Sequence, residues 1–320
     1  MTSRTEVAAA SAAMREAVRI IDRAARSNAP VVLVGPSGVG KERLAQRLHA
    51  HSPRGMGPFI TVACAAVPES LAESLFFGHV RGAFSGATQD SPGHFTRAHG
   101  GTLFLDELGS LSLALQAKLL RAIDGGEVQP LGGEATRVDV RLVVASSTRL
   151  EELVTAGTLR EDLCYRLSSV TVRVPPLRER PEDVEALMAE LVQSRKLRLT
   201  TGAREALRTY PWPGNVRELV HTLEAASVMV DEGSAIDLRH LPERIQRATL
   251  PSSGDDPVEK VVGPDTPDSA LDVRRRVAAL ERALMAEALR RHGGNRRAAA
   301  RACGLSPRAF LYKLRAYGLE

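Results

Sequence analysis

Val31-Val32-Leu33-Val34-Gly35-Pro36-Ser37-Gly38-Val39-Gly40-Lys41 is the stretch whose reading decides the fold. Four apolar residues predict a short buried strand, and the glycine turn after it opens a helix over 42–50. A helix N-terminus reached in this way exposes several backbone N–H groups, and anions settle there. Gly35, Gly38 and Gly40 supply room and permissive backbone angles beside Pro36, Ser37 and Val39, and Lys41 adds a mobile positive charge for phosphate oxygens. A plain glycine turn is the duller reading; the strand before it and the helix after it argue for phosphate. Glu42 departs from the general pattern, which has a Ser or Thr there to ligate magnesium.

A second segment completes a nucleotide-hydrolysis site. Gly100-Gly101-Thr102-Leu103-Phe104-Leu105-Asp106-Glu107 is an apolar run ending in adjacent carboxylates. Asp106 is expected to hold magnesium or its waters, and Glu107 to orient and polarise the water that attacks the γ-phosphate of ATP. A buried strand with a polar end would look the same in isolation, but not downstream of a phosphate loop.

Working outward, 11–26 reads as an amphipathic helix with Met14, Val18 and Ile21 on one face. Apolar strands recur at 59–62, 103–105 and 140–145 with helical stretches between them, which predicts an α/β fold: a parallel sheet sandwiched by helices over 1–180. No strand signal survives beyond Pro181. Stretches 181–197, 203–209, 216–230 and 238–248 read as a small helical lid, giving a second subdomain over 181–250. Residues 251–270 are rich in Pro, Asp, Ser and Gly and read as a linker; 271–320 is helical again.

Composition agrees with a soluble, globular chain of 320 residues with 43% hydrophobic and 25% charged residues. No run is long enough for a membrane span, and the start lacks the layout of a signal peptide. Cys64, Cys164 and Cys303 are far apart and odd in number, so a reduced, cytoplasmic protein is expected. Charge is uneven: 271–320 carries twelve Lys and Arg against four Asp and Glu, a net of +8, within a total of +5. That layout suits a tail that meets DNA phosphates, although a solvated helical surface would show the same balance.

The tail has its own signature. In Gly294-Asn295-Arg296-Arg297-Ala298-Ala299-Ala300-Arg301-Ala302-Cys303-Gly304-Leu305-Ser306-Pro307-Arg308, Asn295 can cap one helix, Gly304 turns the chain, and Ser306 caps a second with Pro307 at its first position. Phe310, Leu314 and Tyr317 fall on one face of that second helix. Arg308, Tyr312, Lys313 and Arg315, with Arg296 and Arg297, are the candidates for bases and phosphates of double-stranded DNA, by the geometry of a recognition helix.

With these segments in place, the chain resembles the AAA+ activators of sigma-54 RNA polymerase, the bacterial enhancer-binding proteins. Phe77-Gly78-His79, Gly82-Ala83-Phe84-Ser85-Gly86-Ala87, Leu159-Arg160-Glu161-Asp162-Leu163, Tyr165-Arg166-Leu167, Pro175-Pro176-Leu177-Arg178-Glu179-Arg180 and Trp212-Pro213-Gly214-Asn215-Val216-Arg217-Glu218-Leu219 carry the resemblance. It implies a ring, usually a hexamer, with ATP and magnesium between subunits. Arg160 and Arg166 match arginine fingers that reach a neighbour's γ-phosphate, and Arg217 matches a lid arginine that senses nucleotide. The Gly82–Ala87 loop matches the segment that contacts the sigma factor, with glycines that let it swing and Phe84 as an exposed anchor. A hairpin around Gly132-Gly133, between Glu127 and Arg137, resembles its companion. Asn215 with Glu218 also reads as a capping box. The tail resembles a Fis-type helix-turn-helix, which implies binding upstream of promoters.

Three positions depart from the family pattern. Ser85 stands for threonine, Ala63 for an asparagine that holds the catalytic glutamate until the partner is engaged, and Ser147 for one that senses the γ-phosphate. Ala63 cannot hydrogen-bond Glu107 through its side chain, whereas Ser147 is a shorter polar substitute. These losses predict an ATPase that turns over but is less tightly gated. The ATPase begins almost at once, with no room ahead of it for a receiver domain, so control by a separate protein acting on the ring is the expectation. Two rivals stay in view: a DNA-binding regulator of the same fold that acts without sigma-54, and another P-loop ATPase such as a replication loader.

Overall fold

The computed structural model describes residues 7–231, 234–249 and 273–318, with the backbone alone at 249 and 273–280. The 251–270 linker lies outside the described residues. Two compact units divide the chain, Met1–Thr249 and Leu250–Glu320.

In the first unit the chain runs α1 (Ala12–Ala24), β1 (Val31–Val34), α2 (Lys41–Ala50), β2 (Phe59–Ala63) and α3 (Glu69–Phe77). Next come the short β3 (Gly78–His79) and β4 (Ser91–Pro92), α4 (His94–Arg97), β5 (Thr102–Asp106) and α5 (Leu113–Gly125). The hairpin β6 (Glu127–Val128) and β7 (Thr136–Arg137) precedes β8 (Arg141–Ser146), α6 (Leu150–Thr155), α7 (Glu161–Leu167) and β9 (Val170–Arg173). Helices α8 (Pro181–Ser194), α9 (Thr201–Thr209), α10 (Asn215–Val228) and α11 (Glu243–Thr249) complete it.

Five strands form one parallel sheet in the order β2-β5-β8-β1-β9. Every residue of the central β8 is buried. Alternation along each strand feeds two cores. Leu33, Phe104 and Val143 face Met14, Ile21, Leu44 and Leu48 on one side. On the other, Val32, Leu103, Leu105 and Val144 pack with Phe76, Phe95, Leu119 and Leu163. Helices on both faces of a parallel sheet are the predicted architecture. The edge strand β9 escaped the sequence reading, because Val-Thr-Val-Arg is only four residues of alternation with one apolar face.

Buried Arg141, at the start of β8, donates hydrogen bonds to the carbonyls of Ala24 (2.8 Å) and Ala25 (3.2 Å), so it closes the C-terminal end of α1. Burial pulls its guanidinium down to about 10.

The lid helices share a separate core around Trp212, Leu187, Leu207, Leu219 and Leu223. Trp212 donates its ring N–H to the carbonyl of Leu207 at 2.9 Å, so its polar handle is satisfied inside the core. The expected helix over 238–248 is instead two pieces, a 3-10 turn at Leu238–His240 and then α11.

The second unit holds α12 (Val273–Arg291), α13 (Arg296–Ala302) and α14 (Pro307–Ala316) around Met285, Ala288, Ala299, Ala300, Phe310 and Leu314. Asn295 and Ser306 cap α13 and α14 as expected, accepting from the N–H groups of Ala298 and Ala309, both at 3.2 Å. Pro307 is the first residue of α14, and Gly304 makes the turn at φ 65°.

Candidate functional site

The C-terminal ends of β1, β8 and β5 lie side by side, and each delivers one part of the site. From β1 the chain enters the 35–40 loop, where Gly38 (φ 77°) and Gly40 (φ 104°) adopt angles that disfavour other residues. Among the described residues, the amides of Ser37, Gly38, Val39, Gly40 and Lys41 donate no hydrogen bond to the protein. Free donors at the N-terminus of α2 are what a triphosphate needs. Lys41 is buried, and its ammonium donates to the carbonyls of Gly35 (2.7 Å) and Pro36 (3.4 Å). Glu42 is exposed and accepts from Gln46 one turn on, at 3.3 Å.

From β5 come the carboxylates. Burial pushes the Asp106 carboxyl above its ordinary range; Lys41 and Arg217 pull it back, and Glu107 adds to the rise. A divalent cation at Asp106 would relieve this by replacing the proton. Glu107 sits in left-handed backbone at φ 57°, a conformation glutamate rarely adopts. Its N–H donates to the carbonyl of Ala145 on β8 at 2.9 Å. One carboxylate oxygen lies 3.5 Å from the Lys41 ammonium. The other accepts from both the N–H (3.1 Å) and the hydroxyl (3.0 Å) of Ser147. Ser147 therefore holds Glu107 directly, as the shorter polar side chain at that position.

The lid closes the cleft. Arg217 donates from its guanidinium to the hydroxyl of Ser37 at 2.8 Å, so it does aim at the phosphate loop from the first turn of α10. The proposed capping box is only half present. Glu218 accepts from the N–H of Gly214 at 2.8 Å, but Asn215 does not cap. It adopts φ 54° and turns its carboxamide inward, accepting from the N–H of Leu177 (2.8 Å) and donating to the carbonyl of Ser37 (2.9 Å). Leu187, Leu191, Val216 and Val220 add apolar wall, and the cavity is about 300 Å³. A concavity of about 850 Å³ in the second unit is larger, but carries no phosphate-binding geometry.

Arg160 and Arg166 are not brought to this cleft. Arg160 pairs with Asp162 at 2.8 Å and Arg166 with Asp124 at 2.7 Å, both on the partly exposed α7 surface beside exposed Tyr165. If they act on nucleotide, it is on that of another subunit.

The Gly82–Ala87 loop is folded shut rather than swung out. Gly82 donates to the carbonyl of Ala87 at 2.9 Å, and Ala87 to that of Phe84 at 3.0 Å. Gly82 and Gly86 take φ 80° and 116° to allow it. Phe84, 40% exposed, rests edge-on against His79, with ring centroids 5.0 Å apart. The β6–β7 hairpin packs alongside: Val80 donates to the carbonyl of Leu131 at 3.1 Å. A Cβ on Gly132 would stand 3.2 Å from that of Ala83.

Among the DNA candidates, Arg296, Arg297, Arg308, Tyr312 and Arg315 are exposed. Lys313 instead pairs with Glu281 of α12, which also accepts from the hydroxyl of Tyr317. That ties α14 to α12 and gives Lys313 a structural task. Sequence reasoning also passed over Arg180. It is 2% exposed, donates to the carbonyl of Val39 at 2.7 Å, and was quoted only as part of a motif. No spacing rule marks such a residue. Among the described residues, no helix is long and apolar enough to cross a membrane.

Comparison with known proteins places this geometry. The family described as Sigma-54 interaction domain matches residues 7–173, AAA+ ATPase lid domain 178–256, and Bacterial regulatory protein, Fis family 276–317. The chain is 43% identical to the Nif-specific regulatory protein of Enterobacter agglomerans, over 95% of its own length and 58% of that protein's. It is 37% identical to the transcriptional activator RocR of Bacillus subtilis, over 96% of its length and 67% of RocR's. The chain thus spans about three-fifths of the length of the relatives it matches. NtrX from Brucella abortus in complex with ATP superposes with a TM-score of 0.71 at 30% identity, covering 98% of this chain and 70% of that one. The chain therefore belongs to the sigma-54-dependent transcriptional activators, with an AAA+ ATPase domain, its helical lid and a Fis-type helix-turn-helix.

Proposed function

We propose that the chain is an ATP-driven activator that binds DNA upstream of promoters and remodels sigma-54 RNA polymerase. The observation that carries this is the placement of Glu107 at the mouth of the phosphate loop, between Lys41 and Ser147, in a chain that also bears the Phe84 loop.

Lys41 and the free amides of 37–41 bind and orient the triphosphate, which converts hydrolysis into attack on a fixed target. Magnesium, when bound at Asp106, supplies charge neutralisation at the phosphate oxygens. Glu107 accepts a proton from the attacking water once Ser147 lets it turn. Arg160, at the N-cap of α7, and Arg166, exposed on it, reach a neighbour's γ-phosphate in a ring of subunits, hexameric by analogy with the family, and stabilise charge that develops there. The closed Gly82–Ala87 loop opens on hydrolysis and presents Phe84 to the sigma factor. Arg296, Arg297, Arg308, Tyr312 and Arg315 hold the operator, and the protein works in the cytoplasm.

The test is open-complex formation on a supercoiled promoter with its own upstream site, sigma-54 polymerase and ATP. The parent chain opens the promoter, Glu107→Ala does not, and Phe84→Ala loses opening while DNA binding persists. Firm DNA binding by the parent without opening sinks the proposal and favours a regulator that acts independently of sigma-54.

A further inference from the structure

Three consecutive carbonyl oxygens of the phosphate loop are taken by donors that come from beyond residue 179. The Asn215 carboxamide donates to Ser37 O at 2.9 Å, the Arg217 backbone N–H to Gly38 O at 3.3 Å, and the Arg180 guanidinium to Val39 O at 2.7 Å. The amides of the same three loop residues donate to nothing in the protein, among the described residues. The loop is thus a ribbon with one hydrogen-bonding edge spent on the lid and the other left for phosphate.

The donors are built in rather than resting on the surface. Asn215 and Arg180 are each 2% exposed. Burying a guanidinium is costly, and it is tolerated where the charge finds acceptors. Here they are Val39 O and, at 3.8 Å, the carboxylate of Asp183, which is itself fully buried and accepts from the N–H (2.8 Å) and hydroxyl (2.7 Å) of Ser11 at the cap of α1. Asn215 spends both ends of its carboxamide, one on the loop and one on Leu177 just ahead of α8. The approach is so close that a Cβ on Gly38 would stand 2.5 Å from Gly214 O.

We propose that Asn215 and Arg180 are positioning residues of the nucleotide site: they clamp the carbonyl edge of the phosphate loop, so that phosphate binding and lid docking are one coupled event. The proposal rests on the nucleotide reading above. Coupling of this kind is reciprocal: whatever the docked lid adds to nucleotide affinity, nucleotide returns to lid docking.

Asn215→Asp isolates the clamp bond. Aspartate tolerates positive φ and can still accept from Leu177, but when ionised it has no proton to give Ser37 O. Because its charge also repels phosphate, Asn215→Gly serves as the neutral companion, and it too accepts positive φ. Binding of a fluorescent ADP derivative is measured on the full chain, with hydrogen exchange in the first turn of α10 with and without ADP, and circular dichroism to confirm folding. Both variants are expected to bind ADP about tenfold more weakly, the scale of one buried hydrogen bond. In both, the protection that ADP confers on α10 in the parent should vanish. Parent-like affinity and protection in both folded variants overturn the clamp alone, as does weakening confined to the aspartate. No ADP binding by the parent itself overturns the nucleotide reading and the clamp with it.

Discussion

Glu107 is held by two groups of different strength. The Lys41 contact, at 3.5 Å, is long for a charge-assisted hydrogen bond, whereas Ser147 offers two donors near 3 Å. The Ser147 amide belongs to the backbone and survives replacement by alanine; the hydroxyl does not. Ser147→Ala therefore removes one of the two bonds that keep the carboxylate turned away from a water. Ser147 is exposed, so solvent competition brings the bond down to the range of an ordinary hydrogen bond, about 1 kcal/mol. Hydrolysis in the absence of DNA and polymerase should rise roughly fivefold, since each 1.4 kcal/mol is tenfold in rate. Ser147→Thr, which keeps the hydroxyl, should stay near the parent. Steady-state phosphate release checks both; a rate in Ser147→Ala at or below the parent's, with ADP affinity intact, removes Ser147 from the latch.

The β6–β7 hairpin comes close to the Gly82–Ala87 loop at Gly132. Gly132 has φ 71°, and an added Cβ would lie 3.2 Å from Ala83 Cβ and from a methyl of Val80. Alanine there is strained by its backbone and crowds the loop as well. Hydrolysis, which depends on residues across the sheet, should stay within about twofold in Gly132→Ala. Promoter opening should fall about tenfold, because Phe84 would leave its seat on His79. Opening at the parent's level would mean that the hairpin is a bystander. At this scale the sequence was informative for some features and silent on others. Strands β1, β5 and β8, the phosphate loop and the helix caps were legible because period, glycine and capping chemistry are local. Asn215 was misread because Asn-x-x-Glu has the spacing of a capping box, and only tertiary contacts with Ser37 and Leu177 turn its side chain inward. Arg180 was invisible for the same reason: its partner, Val39, lies 141 residues away. The pairing of Lys313 with Glu281 was equally hidden, because the two lie on different helices.

The two units differ greatly in length, and this sets how the whole chain should melt. Met1–Thr249 is organised by three large apolar clusters; in the second unit the described residues pack around Met285, with Phe310 and Leu314 of α14 against it. A three-helix unit this small is marginal alone, since small domains bury a smaller share of their surface. Each unit also carries a different ligand site, so each ligand should stabilise its own transition. At a hundred times its Kd, ADP adds about 2.7 kcal/mol to the unit that binds it. For a unit of this size that raises Tm by roughly 5–10 °C. Operator DNA should raise only the lower transition, and salt should erase that shift steeply, because neutralising DNA phosphates releases counterions. Calorimetry at two salt concentrations, with ADP or DNA added separately, reads all of this in one series. A single transition that both ligands move together would mean that the helix-turn-helix and the ATPase unfold as one body, and the division into a motor and an independent DNA anchor would have to be given up.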